Sequence, residues 1–414
     1  MAGPARLRAF LAAHQEPLAI LIGVRIGLTL LALLAGMSIP ALPPGGTAPY
    51  HLPPAPVLWD RLVGVWAHWD GLWYLQIAGA GYRAGDGTTA FLPLYPWLVG
   101  ALGTLLGSRY LVAGVLLSAL VFAGVLVLLY DLVRTEYAPD LAPRATLYLA
   151  IFPTAFFFWA IYSEGLFLLL ALGMFAAAGR RRWLLAGACL AAALWTRPFG
   201  VLLFPCLVLE MVTNRSPSPQ GEGLGARPVG AAEQSVRRAA RSTTAAALAL
   251  PVAAGAALLA WSAAALGDPL VFLTTQAEWN RAFSWPWTTV ANAFKVAGET
   301  EFAFQVENQS WFYLASLIVL AVLAAAGWLR VDGRPLLRTP HALYLTLGLL
   351  FALFSATPRN PLLSLPRFAL VLFPAFVVLA IAGRRAWVHY TILAVSLLLL
   401  ALYTIRFTNW YWVA

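Results

Sequence analysis

The feature that most constrains this chain is the recurrence of long apolar runs. Runs near or above ~18 residues, about the length that a helix needs to cross a bilayer, recur along most of the 414 residues. Only 11% of the residues are charged, whereas a soluble globular protein has about 25%. The strands of a membrane β-barrel would alternate apolar and polar residues in segments of about ten, and this alternation is not seen. The sequence therefore predicts an all-α, polytopic membrane protein with one integral membrane domain, residues 1–414.

Clusters of arginine predict the topology. They are Arg6/Arg8, Arg134/Arg144, Arg180–Arg182, Arg215 to Arg241, Arg330/Arg334/Arg338 and Arg384/Arg385. The positive-inside rule places these clusters in the cytoplasm, so each segment between two clusters forms a hairpin that reaches the far face. This pairing gives about eleven transmembrane helices, and the count is open around residues 91–107 and 183–211. The net charge of +10 is then a topology signal, and nucleic acid is not an expected partner.

Two outer loops and one inner spacer follow from this topology. Residues 38–109 form the first outer loop, with Asp60–Ala80 as an amphipathic interfacial helix and Phe91–Leu106 as a re-entrant helix. Residues 267–309 form a second outer loop. Residues 213–242 are polar and rich in Pro and Gly, which predicts a disordered cytoplasmic spacer. The first apolar run lacks a clear cleavage site, which predicts a retained anchor.

Ionisable residues gather on the predicted outer face. They are Asp70, Asp86, Glu164, Arg197, Arg359 and Arg367. A further outer stretch contains the ionisable residues Glu278 and Arg281 together with Trp279. Charged groups at a membrane are costly, which makes them functional candidates. Each also has a structural alternative: a turn for Asp86, a hydrogen-bond hub for Glu164, and snorkelling to the interface for the arginines.

Metal chemistry has little support in the sequence. No other histidine is placed to complete a metal site with His68, which is therefore expected to pack or to orient a neighbour. Cys189 and Cys206 lie in apolar segments without a second pair, which argues against a disulfide framework or a zinc site.

The residue types on the outer face suit group transfer from a lipid phosphate. Arginine matches the oxygens of a phosphate, and a carboxylate within hydrogen-bond reach can take a proton from a hydroxyl nucleophile. Tryptophan and tyrosine suit the apolar faces of sugars, although they also form interfacial belts. The candidate substrate-binding residues are His68, Trp69, Tyr74, Tyr82, Tyr95, Tyr162 and Trp279.

Four motifs in order resemble those of one family. "HWDGLWYLQIAGAGY" followed by "AFLPLYP" resembles the first signature of the GPI mannosyltransferase 2 (PIG-V) family. "FPTAFFFWAIYSEGLFLLLAL" resembles its second motif, a Y-[ST]-E hairpin. "LWTRPFG" resembles the T-R-P-x-G of the bacterial-type members, and "LPRFALVLFPAFVVLA" the late R-[FY] motif. The resemblance covers most of the chain from about Arg25 to Ala382, the spacer excepted.

The resemblance implies a GT-C type glycosyltransferase fold and an α-mannosyltransferase. The implied donor is polyprenyl-phosphate-mannose, the reaction inverts the anomeric centre, and the catalytic carboxylate lies in the first outer loop, where Asp70 falls. Asp86 stands four residues after the G-Y pair, whereas the family acid stands three after it. In a bacterial host the acceptor would be another glycolipid or a glycan.

These inferences give a mechanism with named alternatives. Asp70 is the expected general base, Arg197 and Arg367 with Arg359 in reserve hold the lipid phosphate, and Glu164 orients the acceptor or the loop. No cofactor is expected, and the chemistry does not require a divalent metal. The expected location is a bacterial plasma membrane with an extracytoplasmic site, or the ER membrane with a luminal site in a eukaryote. The alternatives are a lipid-linked sugar flippase or transporter and a non-catalytic subunit of a glycan-assembly complex.

Overall fold

The computed structural model describes residues 3–43, 48, 50–52, 55–214, 231–277, 281–298, 309–357 and 360–413. These residues form helices joined by short turns, which confirms the all-α prediction. The first nine helices are α1 (Gly3–Ala13), α2 (Gln15–Ser38), α3 (Val57–Leu62), α4 (Asp70–Ala80), α5 (Leu94–Leu105), α6 (Tyr110–Glu136), α7 (Ala142–Ala150), α8 (Glu164–Gly179) and α9 (Trp183–Leu194). The others are α10 (Leu203–Thr213), α11 (Ala231–Leu266), α12 (Val271–Thr274), α13 (Pro286–Gly298), α14 (Ser310–Gly327), α15 (Thr339–Leu353), α16 (Leu365–Val371), α17 (Pro374–Ala382) and α18 (Ala386–Thr408).

Two short strand pairs join loops at the surface. β1 (Ala282–Phe283) pairs antiparallel with β4 (Ser355–Ala356), in the register Ala282 to Ala356 and Phe283 to Ser355. β2 (Arg330–Val331) and β3 (Arg334–Pro335) form a hairpin, whose turn residues Asp332 and Gly333 have φ of 51° and 76°. The first pair joins the second predicted outer loop to the chain that follows α15.

Five helices in the described residues are long and apolar enough to span a bilayer. They are α2, residues 243–266 of α11, and all of α6, α14 and α18. The pair α16 and α17 makes a sixth candidate if it is one span, although an 85° bend separates its two helices. Five shorter apolar segments of 10–17 residues, α5, α8, α9, Pro198–Thr213 and α15, are also present. The chain is an integral membrane protein, and the figure of eleven crossings stays a prediction.

Several predicted elements have different bounds in the structure. The predicted helix Asp60–Ala80 is broken into α3, a 3₁₀ turn at Gly64–Ala67, and α4. The apolar run Ala145–Ile161 is helical only to Ala150 and continues as a 3₁₀ turn at Ala155–Phe158. Pro153 follows the end of α7, and a proline disfavours helical backbone in the residue before it.

The structure describes the other predicted loop segments in part. α11 begins at Ala231, inside the predicted spacer 213–242, and residues 215–230 lie outside the described residues. The predicted re-entrant segment is the helix α5. The second predicted outer loop holds α12 and α13.

The core that supports the site is built from the second motif. Phe156, Phe157 and Phe158 in the 3₁₀ turn are almost fully buried, and Phe158 stacks on Phe122 of α6 with ring centroids 4.7 Å apart. Close aromatic packing of this kind contributes beyond simple burial. The turn between α7 and α8 is therefore a fixed part of the interior, and it leads directly into Tyr162, Ser163 and Glu164.

Candidate active site

Asp70 begins helix α4 on a strained backbone. The preceding residue, Trp69, has φ 57° and ψ −119°, a region that a residue with a side chain rarely adopts. The N–H of Asp70 donates to the Tyr162 hydroxyl at 3.2 Å, and that hydroxyl donates to the His68 carbonyl, also at 3.2 Å. Tyr162 therefore fixes the main chain on both sides of Trp69, and the direction of the Asp70 side chain with it.

A four-residue ion-pair network connects Asp70 to the membrane helices. Arg367 in α16 donates from Nη1 to Asp70 Oδ2 at 2.9 Å and from Nη2 to Glu164 Oε1 at 2.7 Å. Arg197 also pairs with Glu164 Oε1, at 2.9 Å from its Nη1. Glu164 is fully buried, so two guanidinium groups converge on one oxygen of a desolvated carboxylate. Such charges are held in the interior only when they are paired.

Arg197 owes its position to the break between α9 and α10. Its backbone is extended, with φ −153° and ψ 149°, and Pro198 begins the 3₁₀ turn that follows. A Cβ on Gly200 would lie 2.7 Å from the Leu194 backbone nitrogen, so the turn can fold back on α9 only with glycine there. The Arg197 side chain donates to Ser163 Oγ at 3.0 Å. The T-R-P-x-G pattern therefore breaks the helix and aims the arginine at the start of α8.

Arg281 is the third arginine at this site, and it has no carboxylate partner among the described residues. Its Nη2 donates to Ser364 Oγ at 3.1 Å, and its guanidinium carbon lies 5.8 Å from the Phe368 ring centre. Burial, followed by the positive charge of Arg367, lowers the pKa of Arg281 to about 10. Arg281 is half-buried, and its contacts among the described residues are a hydroxyl and a ring, neither of which compensates its charge, so this position is suited to an added anion.

These side chains border a cavity of about 420 Å³. One part of its wall is polar and includes Asp70, Ser163, Arg197, Arg281, Ser364 and Arg367. Another part is apolar and includes Leu92, Phe199, Leu273, Phe283, Phe351, Phe354, Leu363 and Phe368. A concave site with a few convergent polar groups on an apolar wall is typical of a small-molecule site. Here its chemistry suits a ligand with a charged head and a hydrocarbon part.

The structure brings four of the predicted site residues to the cavity wall. They are Asp70, Tyr74, Arg197 and Arg367. The Tyr74 hydroxyl shares a hydrogen bond of 2.8 Å with Ser163 Oγ, which joins it to the Arg197 side of the network. Glu164 does not line the cavity and contacts it through Arg197 and Arg367, which is the geometry of the hydrogen-bond hub.

The other predicted residues lie away from the cavity wall or outside the described residues. Those away from the wall are His68, Trp69, Tyr82, Asp86, Tyr95 and Tyr162. Arg359 and Trp279 lie outside the described residues. Asp86 accepts from the Thr88 N–H at 2.9 Å, as an aspartate does in a turn. His68 Nδ1 donates to the Phe407 carbonyl at 3.0 Å, and its ring stacks on Trp410.

Arg281 and Trp412 lie on the cavity wall but had no role in the predicted mechanism. Arg281 stands in "AEWNRAFSWPW", where its charge on a predicted outer loop was the available signal. Trp412 comes from the C-terminal stretch "IRFTNWYWVA", and nothing in the local pattern separates it from the interfacial tryptophans. Its approach to Asp70 depends on contacts between distant parts of the chain.

The described residues contain no group of three or more His, Cys, Asp or Glu side chains that could hold a metal ion. The polar groups of the cavity wall are instead three arginines, one aspartate, hydroxyls and an amide. This donor set suits anions and hydroxyls.

A comparison of the sequence with models of protein families tests the resemblance to the PIG-V family. Residues 48–209 match the family model described as Mannosyltransferase (PIG-V). The resemblance to the PIG-V family is confirmed over this segment. The match covers less than half of the chain and contains Asp70, Glu164 and Arg197, while Arg281, Arg367 and Trp412 lie beyond it. The description of that family model names a mannosyltransferase.

Two solved structures are similar to the chain at a low level. Both are crystal structures of the Archaeoglobus fulgidus oligosaccharyltransferase. In the one tethered with an acceptor peptide containing the NVT sequon, the identity is 13% and the TM-score 0.38, over 97% of this chain and 56% of that one. In the complex with Zn and sulfate, the identity is 14% and the TM-score 0.35, over 94% of this chain and 52% of that one. The chain thus spans about half the length of these structures. The comparison with curated proteins gave no match.

Proposed function

We propose that the protein is a GT-C type membrane glycosyltransferase that moves a mannosyl residue from polyprenyl-phosphate-mannose to a hydroxyl of a glycolipid or glycan. The observation that carries this proposal is the cavity, where a carboxylate and an arginine with no carboxylate partner among the described residues face an apolar aromatic wall. The match of residues 48–209 to a mannosyltransferase family supports the sugar. The proposed location is a bacterial plasma membrane, with the cavity on the extracytoplasmic side, because the arginine clusters place Asp70 opposite the cytoplasm.

The charges around the cavity select the residue that binds the phosphate. Arg197 and Arg367 are already paired with Glu164, and Arg367 with Asp70 as well. Two carboxylates and two arginines balance, which leaves Arg281 as a surplus positive charge. A sugar-phosphate-lipid diester carries one negative charge and would compensate it. Arg281 therefore takes over the phosphate role expected of Arg197 and Arg367, and Arg367 now orients Asp70.

The reaction follows from the two oxygens of Asp70. Oδ2 accepts from Arg367, and Oδ1 has no partner among the described residues, so Oδ1 is the oxygen free to act as a base. The acceptor hydroxyl loses its proton to Asp70 as its oxygen forms a bond to the anomeric carbon. The bond between that carbon and the phosphate oxygen breaks on the opposite face, which inverts the centre. The bonding electrons leave with the lipid phosphate, whose growing charge Arg281 stabilises.

The proposal needs no cofactor, because the leaving group carries a single phosphate that arginines can neutralise. Its partners are the lipid-linked donor, the glycolipid or glycan acceptor and the surrounding membrane lipids. The apolar wall formed by residues such as Phe199, Phe351 and Phe354 would hold the first part of the donor's hydrocarbon chain.

The test is transfer from radiolabelled polyprenyl-phosphate-mannose in membranes that contain the protein. Arg281→Gln should raise the KM for the donor by roughly 10- to 100-fold, the scale for losing a hydrogen bond to a charged group. Arg83→Gln is the matched control, since Arg83 is an exposed arginine of the first outer loop that does not line the cavity. An unchanged donor KM in Arg281→Gln would remove the phosphate role.

The same assay separates the alternatives. Movement of labelled lipid across the membrane without sugar transfer would identify a flippase. A purified protein that transfers nothing, yet is required for the activity of a partner, would identify an assembly subunit.

A further inference from the structure

Trp412 belongs to the wall of the cavity although more than 300 residues separate it from Asp70 in the sequence. Its ring meets the ring of Trp69 edge to face, with centroids 5.0 Å apart and planes at 87°. Trp69 is the residue directly before Asp70. Trp412 therefore contacts the residue before the proposed base and, like Asp70, is part of the surface that a ligand in the cavity would touch.

The segment that carries Trp412 is fixed in place by several contacts. The Trp412 carbonyl accepts from Gln309 Nε2 at 2.7 Å and from Arg406 Nη2 at 3.3 Å. Trp410 stacks on His68 with centroids 3.8 Å apart. Its φ of 65° turns the chain sharply after α18. Because these contacts hold the backbone on both sides of the ring, Trp412 is preorganised as a platform.

The position of Trp412 relative to the charges assigns it to one substrate. Arg281, the proposed phosphate partner, contacts Ser364 and Phe368, whereas Trp412 contacts the residue next to Asp70. In an inverting displacement the nucleophile and the leaving group lie on opposite faces of the anomeric carbon. The group beside the base therefore faces the acceptor, and the group beside the arginine faces the donor phosphate.

We infer that Trp412 is the binding platform for the acceptor, and that the acceptor presents a pyranose ring. An indole offers a large, rigid apolar face with a polar edge, and a pyranose has an apolar face of C–H groups between its hydroxyls. Contact between the two would place a ring hydroxyl near Asp70 Oδ1. This inference rests on the proposed function and adds the residue that holds the sugar ring of the acceptor.

The test uses binding as well as turnover. The probes are octyl mannoside, glucoside and galactoside, with octyl tetraethylene glycol ether as a ligand that has the same tail and a hydroxyl but no ring. Saturation-transfer NMR on the full chain in nanodiscs should show transfer to the ring protons of at least one octyl glycoside. Trp412→Ala should abolish this transfer, and Trp412→Phe should keep most of it.

In the transfer assay, Trp412→Ala should raise the KM for the glycoside by about tenfold or more, the scale for truncating a tryptophan at a binding hot spot, with the donor KM unchanged. Trp387→Ala is the control, because Trp387 is 67% exposed on α18 and does not line the cavity, so it should leave the glycoside KM unchanged.

Failure of this inference is distinguishable from failure of the proposed function. Asp70→Asn should lose transfer while ring protons of the glycoside still receive saturation, so binding is measured without catalysis. Equal saturation in wild type and Trp412→Ala would overturn the inference, as would binding of the ethylene glycol ether with none of the glycosides. A protein that binds a glycoside through Trp412 but transfers no mannose would overturn the proposed function alone.

Discussion

At the scale of single residues, Glu164 is a candidate acid that holds two arginines of the site without lining the cavity. Its Oε1 receives three hydrogen-bonding nitrogens, two from Arg367 and one from Arg197, while the carboxylate itself is fully buried. Removing one member of a buried ion cluster leaves the others uncompensated. The role of Glu164 is therefore to hold two arginines, one of which orients Asp70.

We expect Glu164→Gln to destabilise the fold. The change leaves two arginines without their shared charge, and breaking a buried ion pair costs about 3–5 kcal/mol. Thermal unfolding in detergent should show a lower Tm than wild type. The control is Glu16→Gln, because Glu16 makes only an exposed hydrogen bond with Tyr130. If Glu164→Gln has the same Tm as wild type, Glu164 does not act as the hydrogen-bond hub that holds the two arginines.

His68 gives the loop before Asp70 a predictable response to pH. Burial is the main reason that the pKa of His68 is lowered to about 4. The hydrogen bond with the Phe407 carbonyl acts in the opposite direction and raises the pKa, whereas the positive charge of Arg61 lowers it further. The ordinary value in an unfolded chain is about 6.5, so between the two values the unfolded state binds more protons. Stability should therefore be full above about pH 6.5 and fall by up to about 3 kcal/mol as the pH drops towards 4.

His68→Asn should remove this part of the pH dependence, since asparagine keeps a donor near the Phe407 carbonyl without the titration. Unfolding free energies of both proteins between pH 4 and pH 7 are the measurement. The curve of unfolding free energy against pH should be flatter for His68→Asn than for wild type. Parallel curves would show that another group is responsible and would rule out His68.

At the scale of helices and turns, Arg25 ties a membrane helix to the two motifs that carry the site. Its guanidinium carbon lies 4.8 Å from the Trp66 ring centre and 5.0 Å from that of Trp159. Trp66 stands four residues before Asp70, and Trp159 stands five before Glu164. Arg25 on α2 therefore clamps the 3₁₀ turn before α4 against the turn before α8. Snorkelling, the role that its place in the first helix suggests, does not describe these contacts.

Arg25→Met should loosen this clamp. A desolvated cation–π contact contributes roughly 2 kcal/mol, and two are lost, so the Tm should fall and Arg25→Lys should recover part of the loss. Ile26→Met is the control on the same helix, because Ile26 is 55% exposed. Equal Tm values for Arg25→Met and Ile26→Met would show that the contacts add nothing.

The elements also show what periodicity could and could not predict. Long apolar runs predicted α2, α6, α14 and α18 well, because a helix is the simplest way to satisfy the backbone in a bilayer. The breaks at Val63, Ile151 and Leu372 were missed in runs that remain apolar across the break. Their cause is local backbone chemistry and packing, such as Pro374 after the bend, to which a hydropathy window is insensitive.

At the scale of the whole molecule, two of the ion-pair networks among the described residues contain a fully buried glutamate. One is the cavity network around Glu164. The other joins α6, α10 and the start of α15, where Arg338 contacts both Glu136 and Glu210. Arg338 belongs to a cluster that the positive-inside rule assigns to the cytoplasm, so this second network is on the predicted inner side.

The site itself was predicted unevenly from the sequence. Asp70, Arg197 and Arg367 stand in short motifs, and each reaches the cavity wall. Arg281 and Trp412 reach it through loops whose approach depends on pairing between β1 and β4 and on contacts of the C-terminal segment. Long-range contacts of this kind leave no local pattern, so a single sequence could suggest their charges and rings but not their neighbours.

The central claim is that Asp70 is the base of a transferase whose cavity holds a lipid-linked sugar. The most direct measurement is sugar transfer from labelled polyprenyl-phosphate-mannose by Asp70→Asn beside Asp86→Asn, each with its Tm. Asp70→Asn should stay folded, with a smaller loss of Tm than Glu164→Gln because Arg367 keeps its pair with Glu164, and should lose transfer by about 10²-fold or more, the scale of general-base catalysis. Asp86→Asn, in a turn away from the cavity wall, should transfer at the wild-type rate. Near-normal transfer by Asp70→Asn would contradict the account.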